Sequence, residues 1–121
     1  MRKPKSKTFS DLISDEDSKQ YHGFIYRIDI AGCYYIGKKM FAAKDKWEFY
    51  QSSSKKVKEL LKTNKATYTV LKFAKTKREL TYMEAEIQFK LNVLEDPLSL
   101  NDNILRVFQR NVHDPLKPRK K

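Results

Sequence analysis

Cysteine is almost absent from this 121-residue sequence, so Cys33 has no second cysteine with which to form an internal disulfide. Cys33 and the two histidines do not have the spacing of zinc ligands. No apolar run approaches the roughly 18 residues that span a bilayer. A secretory signal has an apolar segment after its basic start, and this sequence has no such segment there. We therefore expect a protein that keeps its cysteine reduced, has no membrane span and works in the cytoplasm.

Acidic residues are scarce in parts of the sequence, which leaves the formal net charge at +11. Residues 38–78 carry thirteen Lys and Arg against three acidic residues, and both ends are also basic. Clustered positive charge with a high isoelectric point is typical of proteins that bind nucleic acid. No segment combines basic residues with the strong apolar face that binds a membrane surface. Five lysines are predicted to contact phosphates, unless they form an ordinary solvated face: Lys55, Lys56, Lys58, Lys62 and Lys65.

The order of the predicted elements indicates an α+β fold. Alternating side chains over residues 23–39, interrupted by Ala31-Gly32, predict a β-hairpin, and the β-branched and aromatic residues of 67–74 predict a third strand. Apolar residues at helical spacing predict a helix over 55–64 and a longer one over 79–94, which a proline then ends. We expect a small three-stranded antiparallel sheet flanked by helices.

The domain organisation follows from where apolar residues begin and end. Residues 9–109 are predicted to form a single domain, with a basic flexible arm at 1–8 and a basic flexible tail at 110–121. The acidic run Asp15-Glu16-Asp17 is predicted to be a solvated turn.

The predicted hairpin carries the side chains with the most distinctive chemistry. Tyr26 and Tyr35 lie on its two opposite arms, and Lys38 and Lys39 follow the second tyrosine closely. Phenol hydroxyls and ammonium groups beside one another can handle both the proton and the negative charge of a phosphate. The hairpin therefore predicts a site for a phosphodiester.

The same residues resemble the paired motif of the GIY-YIG nucleases. Phe24-Ile25-Tyr26 and Tyr35-Ile36-Gly37 match that motif, with Phe24 in place of its first glycine, and Tyr50, Glu84 and Asn101 follow in the family's order. The resemblance covers about residues 23–104 and is to small, phage-encoded stand-alone members related to homing endonucleases. Gly37 and Asn101 are predicted to be structural, Asn101 by bonding a loop backbone.

The resemblance implies a metal-dependent endonuclease that hydrolyses the phosphodiester bonds of DNA, with RNA left open as a substrate. By that analogy Tyr26 and Tyr35 flank the scissile phosphate, and one of them, or Tyr50, helps to deprotonate the attacking water. Glu84 would hold one divalent ion, Mg²⁺ or Mn²⁺, through its hard carboxylate oxygens. If the gene is phage-encoded, the protein would act in the host cytoplasm.

One basic residue of the family has no obvious counterpart. The family usually has an arginine in the first helix after the hairpin, and this sequence has none between Lys38 and Lys77. Lys46 lies four residues before Tyr50, the spacing of a shared helical face, and is one candidate for the residue that stabilises the transition state. Lys38 and Lys39 are equal candidates. Lysine keeps the charge of arginine but lacks the planar fork that grips two phosphate oxygens.

A second function stays open beside the endonuclease. The missing arginine favours a nuclease-like scaffold that has lost catalysis and acts through a partner, as a nucleic-acid-binding protein or as an inhibitor of another protein. A third candidate is a specificity subunit of a larger nuclease complex. Because a chain of this length has no room for a second folded DNA-reading domain, we expect low sequence specificity unless the tails or a protein partner supply it.

Overall fold

The computed structural model describes residues 9–42, 47–52 and 54–110, apart from the side chain of Phe49. The α-helices of these residues are α1 (Asp15–Gln20), α2 (Lys55–Leu61) and α3 (Lys77–Lys90). The strands are β1 (Gly23–Ile30), β2 (Cys33–Met40), β3 (Ala66–Ala74), β4 (Asn103–Ile104) and β5 (Phe108–Gln109). Short 3-10 helices are formed by Phe9–Asp11 and Trp47–Phe49. Within this part of the chain, no helix has the length and apolarity needed to cross a membrane.

Some of the predicted features lie outside the described residues. The basic arm at 1–8 and the candidate Lys46 are among them, and so is the predicted tail except for Arg110, its first residue. Arg110 is well held, because its guanidinium donates hydrogen bonds to the carbonyls of Val93, Asp96, Ser99 and Asn101. These bonds fasten the segment after α3 to itself.

The main sheet is built from β1, β2 and β3 in the order β2-β1-β3, with both pairs antiparallel. Ala31 and Gly32 make the turn between β1 and β2 with φ values of 52° and 79°. Positive φ at both central residues is what a two-residue hairpin turn requires. The predicted α+β class with a three-stranded antiparallel sheet is therefore confirmed. Because β3 pairs with β1, β2 is left as an edge strand of this sheet.

Both faces of the sheet are covered, because successive side chains of β1 point to opposite sides. Phe24, Tyr26 and Ile28 enter a core shared with α2 and the two 3-10 helices. Ile25, between them, enters a second core on the other face together with Leu80 of α3. Side chains at the edge of β2 therefore lie between two packed layers.

Several element boundaries differ from the sequence prediction, among them that of the predicted helix 55–64, which ends at Leu61, and two of the differences have a clear physical reason. The predicted turn at Asp15-Glu16-Asp17 is wrong: these residues open α1, where the Ser14 hydroxyl accepts a hydrogen bond from the Asp17 N–H at 3.1 Å. Acidic side chains are favourable there because they face the positive end of the helix dipole. Helix α3 ends at Lys90 rather than at residue 94, because Asn92 adopts φ 54° and begins a hydrogen-bonded C-terminal cap.

Candidate active site

The two lysines after the second tyrosine have different surroundings. On one side of β2, the Lys38 ammonium lies 3.3 Å from a carboxylate oxygen of Glu84 on α3. On the other side, the Lys39 ammonium lies 4.3 Å from the centre of the Tyr50 ring, and Lys39 is only 6% exposed. The period of a strand separates neighbouring residues in this way. Lys38 therefore joins the carboxylate and Lys39 joins the aromatic cluster.

The three candidate tyrosines lie together. The ring of Tyr26 is 6.2 Å from the ring of Tyr35 and 5.9 Å from that of Tyr50, centre to centre. The pKa of Tyr26 lies well above its ordinary value. Burial is the largest cause, and the neighbouring Tyr50 and Tyr35 raise the pKa further. The hydroxyl groups of Tyr50 and Ser52 are near the Tyr26 oxygen, but no described residue forms a hydrogen bond of normal geometry with it. Tyr26 is thus a buried, protonated phenol.

Gly37 lies directly opposite Tyr26 in the β1–β2 pairing, and the tyrosine ring rests on it. A Cβ atom at Gly37 would be 2.5 Å from the Tyr26 hydroxyl oxygen and 2.9 Å from Tyr35 Cε2. No carbon atom is tolerated at such distances, so a side chain here must displace one of the two tyrosines. The last residue of the motif is therefore a packing requirement of its first tyrosine.

Replacing Gly37 by Ala is expected to destabilise the fold by about 2 kcal/mol, because Tyr26 is held in the core and has little room to move. Urea unfolding measures the change. Gly32→Ala is the control: no atom lies within 4 Å of its Cβ position, so only the cost of positive φ remains, about 1 kcal/mol. Wild-type stability in Gly37→Ala would show that the Tyr26 ring is not fixed against this strand.

A cleft of about 280 Å³ opens beside the edge of β2. It joins residues from β2, from α3 and from the segment after α3. The side chains and backbone that line it are Tyr35, Lys38, Glu84, Gln88, Asn101, Asp102, Asn103, Leu105 and Arg106. Tyr35 belongs to both halves of the site, since it lines this cleft and also packs against Tyr26. Tyr26 and Tyr50, by contrast, do not line it.

The cleft contains the ion pairs Lys38–Glu84 and Lys56–Asp102 at its wall and rim. Of these four side chains Glu84 is the least exposed, with 14% accessible. Burial raises the pKa of its carboxyl above the ordinary value, and the nearby Lys38 ammonium acts in the opposite direction. Among the described residues, Lys38 is the hydrogen-bond partner of this carboxylate through Oε1. The second oxygen, Oε2, is therefore available for a ligand.

Asn101 fixes the outer wall of the cleft to β2. Its Oδ1 accepts from the Ile36 N–H at 3.0 Å, and its Nδ2 donates to the Ile36 carbonyl at 2.8 Å. The side-chain amide of Gln88 donates to the same carbonyl at 3.0 Å. Asn101 is 2% exposed, so these bonds form away from water. The amide takes the place of a neighbouring strand at the sheet edge, rather than bonding a loop.

The donor set of the cleft consists of few carboxylates, and this limits how a metal ion could be held there. No three His, Cys, Asp or Glu side chains of the described ranges cluster closely enough to enclose an ion. The carboxylates of the cleft are Glu84 and Asp102, and Asp102 pairs with Lys56 at 2.7 Å. Mg²⁺ is commonly bound by one or two carboxylates, with water and substrate phosphate oxygens completing the shell. The residues present fit that arrangement.

The five lysines predicted to contact phosphates are all exposed. They do not form one patch around the cleft. Lys56 brings the start of α2 to its rim through the ion pair with Asp102, whereas Lys65 lines a separate groove at the turn between β1 and β2.

Five of the residues that line the cleft were not found from the sequence: Gln88, Asp102, Asn103, Leu105 and Arg106. Gln88 lies four residues after Glu84 on α3, so helical spacing places both on one face and could have identified it. Asp102 and Arg106 come from the irregular segment after α3, where no periodicity predicts which side chains approach the sheet.

Comparison with known proteins agrees with this architecture. The family model described as "Putative endonuclease segE, GIY-YIG domain" matches residues 6–105, which include the whole main sheet, α3 and Glu84. A search among curated proteins returned no match, and neither did a search among solved structures. The matched segment is most of the chain, and it begins before the hairpin and continues past the long helix. The resemblance seen in the tyrosine motif is thereby confirmed, and the chain belongs to the GIY-YIG nuclease family.

Proposed function

We propose that this protein is an endonuclease that hydrolyses phosphodiester bonds of DNA in the cleft at the edge of β2. The observation that carries the proposal is that one cleft holds Tyr35, Lys38 and Glu84, although Lys38 and Glu84 are 46 residues apart in the chain. A phenol, an ammonium and a partly desolvated carboxylate are the groups that phosphodiester hydrolysis needs. Membership of a nuclease family supports the same activity.

Hydrolysis forms a bond between a water oxygen and phosphorus and breaks one phosphorus–oxygen ester bond, whose oxygen leaves with a proton. In this proposal Tyr35, which lines the cleft, acts as a phenolate and takes the proton that the attacking water releases, while solvent supplies the proton of the departing ester oxygen. The Lys38 ammonium reduces the negative charge that builds up on the phosphate oxygens. Glu84, with Asp102 as the second carboxylate that lines the cleft, would hold Mg²⁺ or Mn²⁺, and such an ion would polarise a phosphoryl oxygen.

The aromatic half of the site has a supporting role in this proposal. Tyr26 is fully buried and its pKa is raised, so it stays a neutral phenol at physiological pH. Its ring packs against Tyr35 and so fixes the position of the phenol that reaches the cleft. Tyr50 acts similarly from the other side, between Tyr26 and the Lys39 ammonium.

DNA is the partner that the charge distribution favours. The formal net charge is +11, and the exposed lysines of α2 begin beside the cleft at Lys56. Such lysines contact phosphates without reading bases, so sequence preference would have to come from a protein partner or from other parts of the chain. Neutralising several phosphates makes the affinity for DNA fall steeply as the salt concentration rises.

The experiment that tests the function uses supercoiled plasmid, the purified full chain and Mg²⁺ or Mn²⁺, with EDTA as the control. We expect nicked or linear product with either ion and none in EDTA, because the proposed cleavage requires a metal ion held by the carboxylates of the cleft. A parallel reaction with single-stranded RNA separates the two substrate classes. Band shifts without any product, at every protein concentration, would refute the nuclease and support the binding protein. The burial of Tyr26 and the pairing of Glu84 with Lys38 are the observations that favour this alternative.

A further inference from the structure

The carboxylates of the cleft are each paired with a lysine already. Lys38 lies 3.3 Å from Glu84, and Lys56 lies 2.7 Å from Asp102. Lys39 packs on the opposite side of the sheet, away from this cleft. In the described part of the chain, the lysines considered for the role of the missing arginine therefore either neutralise a carboxylate or face elsewhere.

Arg106 is the other basic residue that lines the cleft within the described ranges. Its side chain is exposed, and the ion pairs of the described residues do not include it. Its backbone is held on both sides, since the N–H donates to Asn103 Oδ1 at 3.0 Å and the carbonyl accepts from Gln109 Nε2 at 3.2 Å. The backbone of Arg106 is thus fixed, and no carboxylate of the described residues forms an ion pair with its guanidinium.

The backbone at Arg106 is also strained. Leu105 and Arg106 form the turn between β4 and β5 with φ values of 58° and 61°. Glycine and asparagine adopt such angles with little strain, whereas leucine and arginine are destabilised in this conformation. Burial of these side chains does not compensate for the strain, because Leu105 is 43% exposed and Arg106 is exposed as well. A tight hairpin turn calls for positive φ, and residues other than glycine or asparagine that keep this conformation beside a cleft are candidates for a functional role.

We propose that Arg106 binds a phosphate of the substrate in this cleft and supplies the guanidinium that the chain lacks between the hairpin and α3. The proposal rests on the nuclease function argued above. A guanidinium holds two phosphate oxygens with two parallel hydrogen bonds, which the lysines of the cleft cannot do. Arg106 would therefore bind the phosphate from the segment after α3 and add its charge to that of Lys38, which the ion pair with Glu84 partly neutralises.

The test compares Arg106→Gly and Arg106→Lys with the wild-type chain in single-turnover plasmid cleavage. Arg106→Gly is expected to cleave about a hundredfold more slowly, as when one donor to a developing negative charge is removed. Arg106→Lys is expected to cleave at least about tenfold more slowly than the wild type, because lysine keeps the charge but cannot form two parallel hydrogen bonds to a phosphate. Arg78→Ala, which also removes one exposed arginine but lies outside the cleft, is expected to keep the wild-type rate. Wild-type cleavage by Arg106→Gly would overturn the proposal.

Two further measurements do not depend on cleavage. Arg106→Gly is expected to unfold at a higher urea concentration than the wild type, because glycine suits the positive φ; a merely structural arginine would give the opposite shift. In EDTA, the salt dependence of binding to a short DNA duplex should become shallower by about one unit of slope in Arg106→Gly and recover in Arg106→Lys. If the wild type binds DNA but never cleaves it, the nuclease function fails, and the slope alone then decides whether Arg106 contacts a phosphate.

Discussion

Glu84→Gln is expected to lower the rate of metal-dependent plasmid cleavage by at least about a hundredfold, the usual effect of removing one essential electrostatic group. The amide is nearly the same size as the carboxylate and can still accept a hydrogen bond from Lys38. It cannot serve as an anionic ligand for Mg²⁺. Binding to DNA in EDTA should be unchanged or slightly tighter, because one negative charge has been removed from the cleft.

The same substitution should make the folded protein more stable at neutral pH. Burial raises the pKa of Glu84 in the folded state, so the folded chain binds this proton more tightly than the unfolded chain does. The carboxyl therefore costs nothing at pH values below its unfolded pKa of about 4.3. The cost develops as the pH rises towards the folded pKa and is complete above it. Glutamine removes this cost, so the substitution should raise the free energy of unfolding at pH 7.

Urea unfolding at pH 7 and pH 4, together with the cleavage assay, measures both effects. Glu86→Gln is the matched control, because Glu86 is exposed and lies two residues away on the same helix, pointing in another direction. The control should change neither rate nor stability. Full cleavage by Glu84→Gln would remove Glu84 from the metal site. A loss of stability at pH 7 would show that the ion pair with Lys38 outweighs the desolvation of the carboxylate.

The sheet and the identity of its motif could be predicted because their signals are local. Alternating side chains interrupted by Ala31-Gly32 specify the two strands of the hairpin and its turn. A run of β-branched residues specifies the third strand. The same alternation implies that Lys38 and Lys39 point to opposite sides. It does not say which side faces Glu84, because that depends on how α3 packs against the sheet. Two candidates that are equal in sequence therefore become unequal only in the folded structure.

The outer wall of the cleft could not be predicted for a different reason. It comes from residues that follow α3, where the strands β4 and β5 are two residues long and too short to show a period. Their position depends on backbone hydrogen bonds between Tyr34 and residues 98 and 100, and on single side chains, such as the guanidinium of Arg110 and the amide of Asn101, which bond to distant backbone groups. Such contacts leave no pattern in the sequence. Arg106 therefore reaches the cleft through interactions that only the structure reveals.

Asn101→Ala is expected to destabilise the protein by about 3 kcal/mol, one of the largest effects of any single substitution here. The alanine removes both hydrogen bonds to Ile36 and leaves its N–H group buried without a partner, and an unsatisfied buried donor costs about 1–3 kcal/mol by itself. Asn64→Ala is a suitable control, since Asn64 also donates its amide to a backbone carbonyl, at Leu60, but lies on a partly exposed helix end. There we expect a loss of about 1 kcal/mol.

Gln88→Ala separates the contribution of the Ile36 carbonyl from that of the Ile36 N–H. The Ile36 carbonyl accepts from both Gln88 and Asn101, so it keeps one donor when Gln88 is lost, whereas the Ile36 N–H is bonded by Asn101. Gln88 also has a buried Oε1 without a hydrogen-bond partner among the described residues, and alanine removes that unsatisfied group. Urea unfolding should therefore rank Asn101→Ala well below Gln88→Ala in stability. Equal losses would mean that the hydrogen bond from the Ile36 N–H to Asn101 contributes little, and that the cleft wall does not depend on the amide pairing of Asn101.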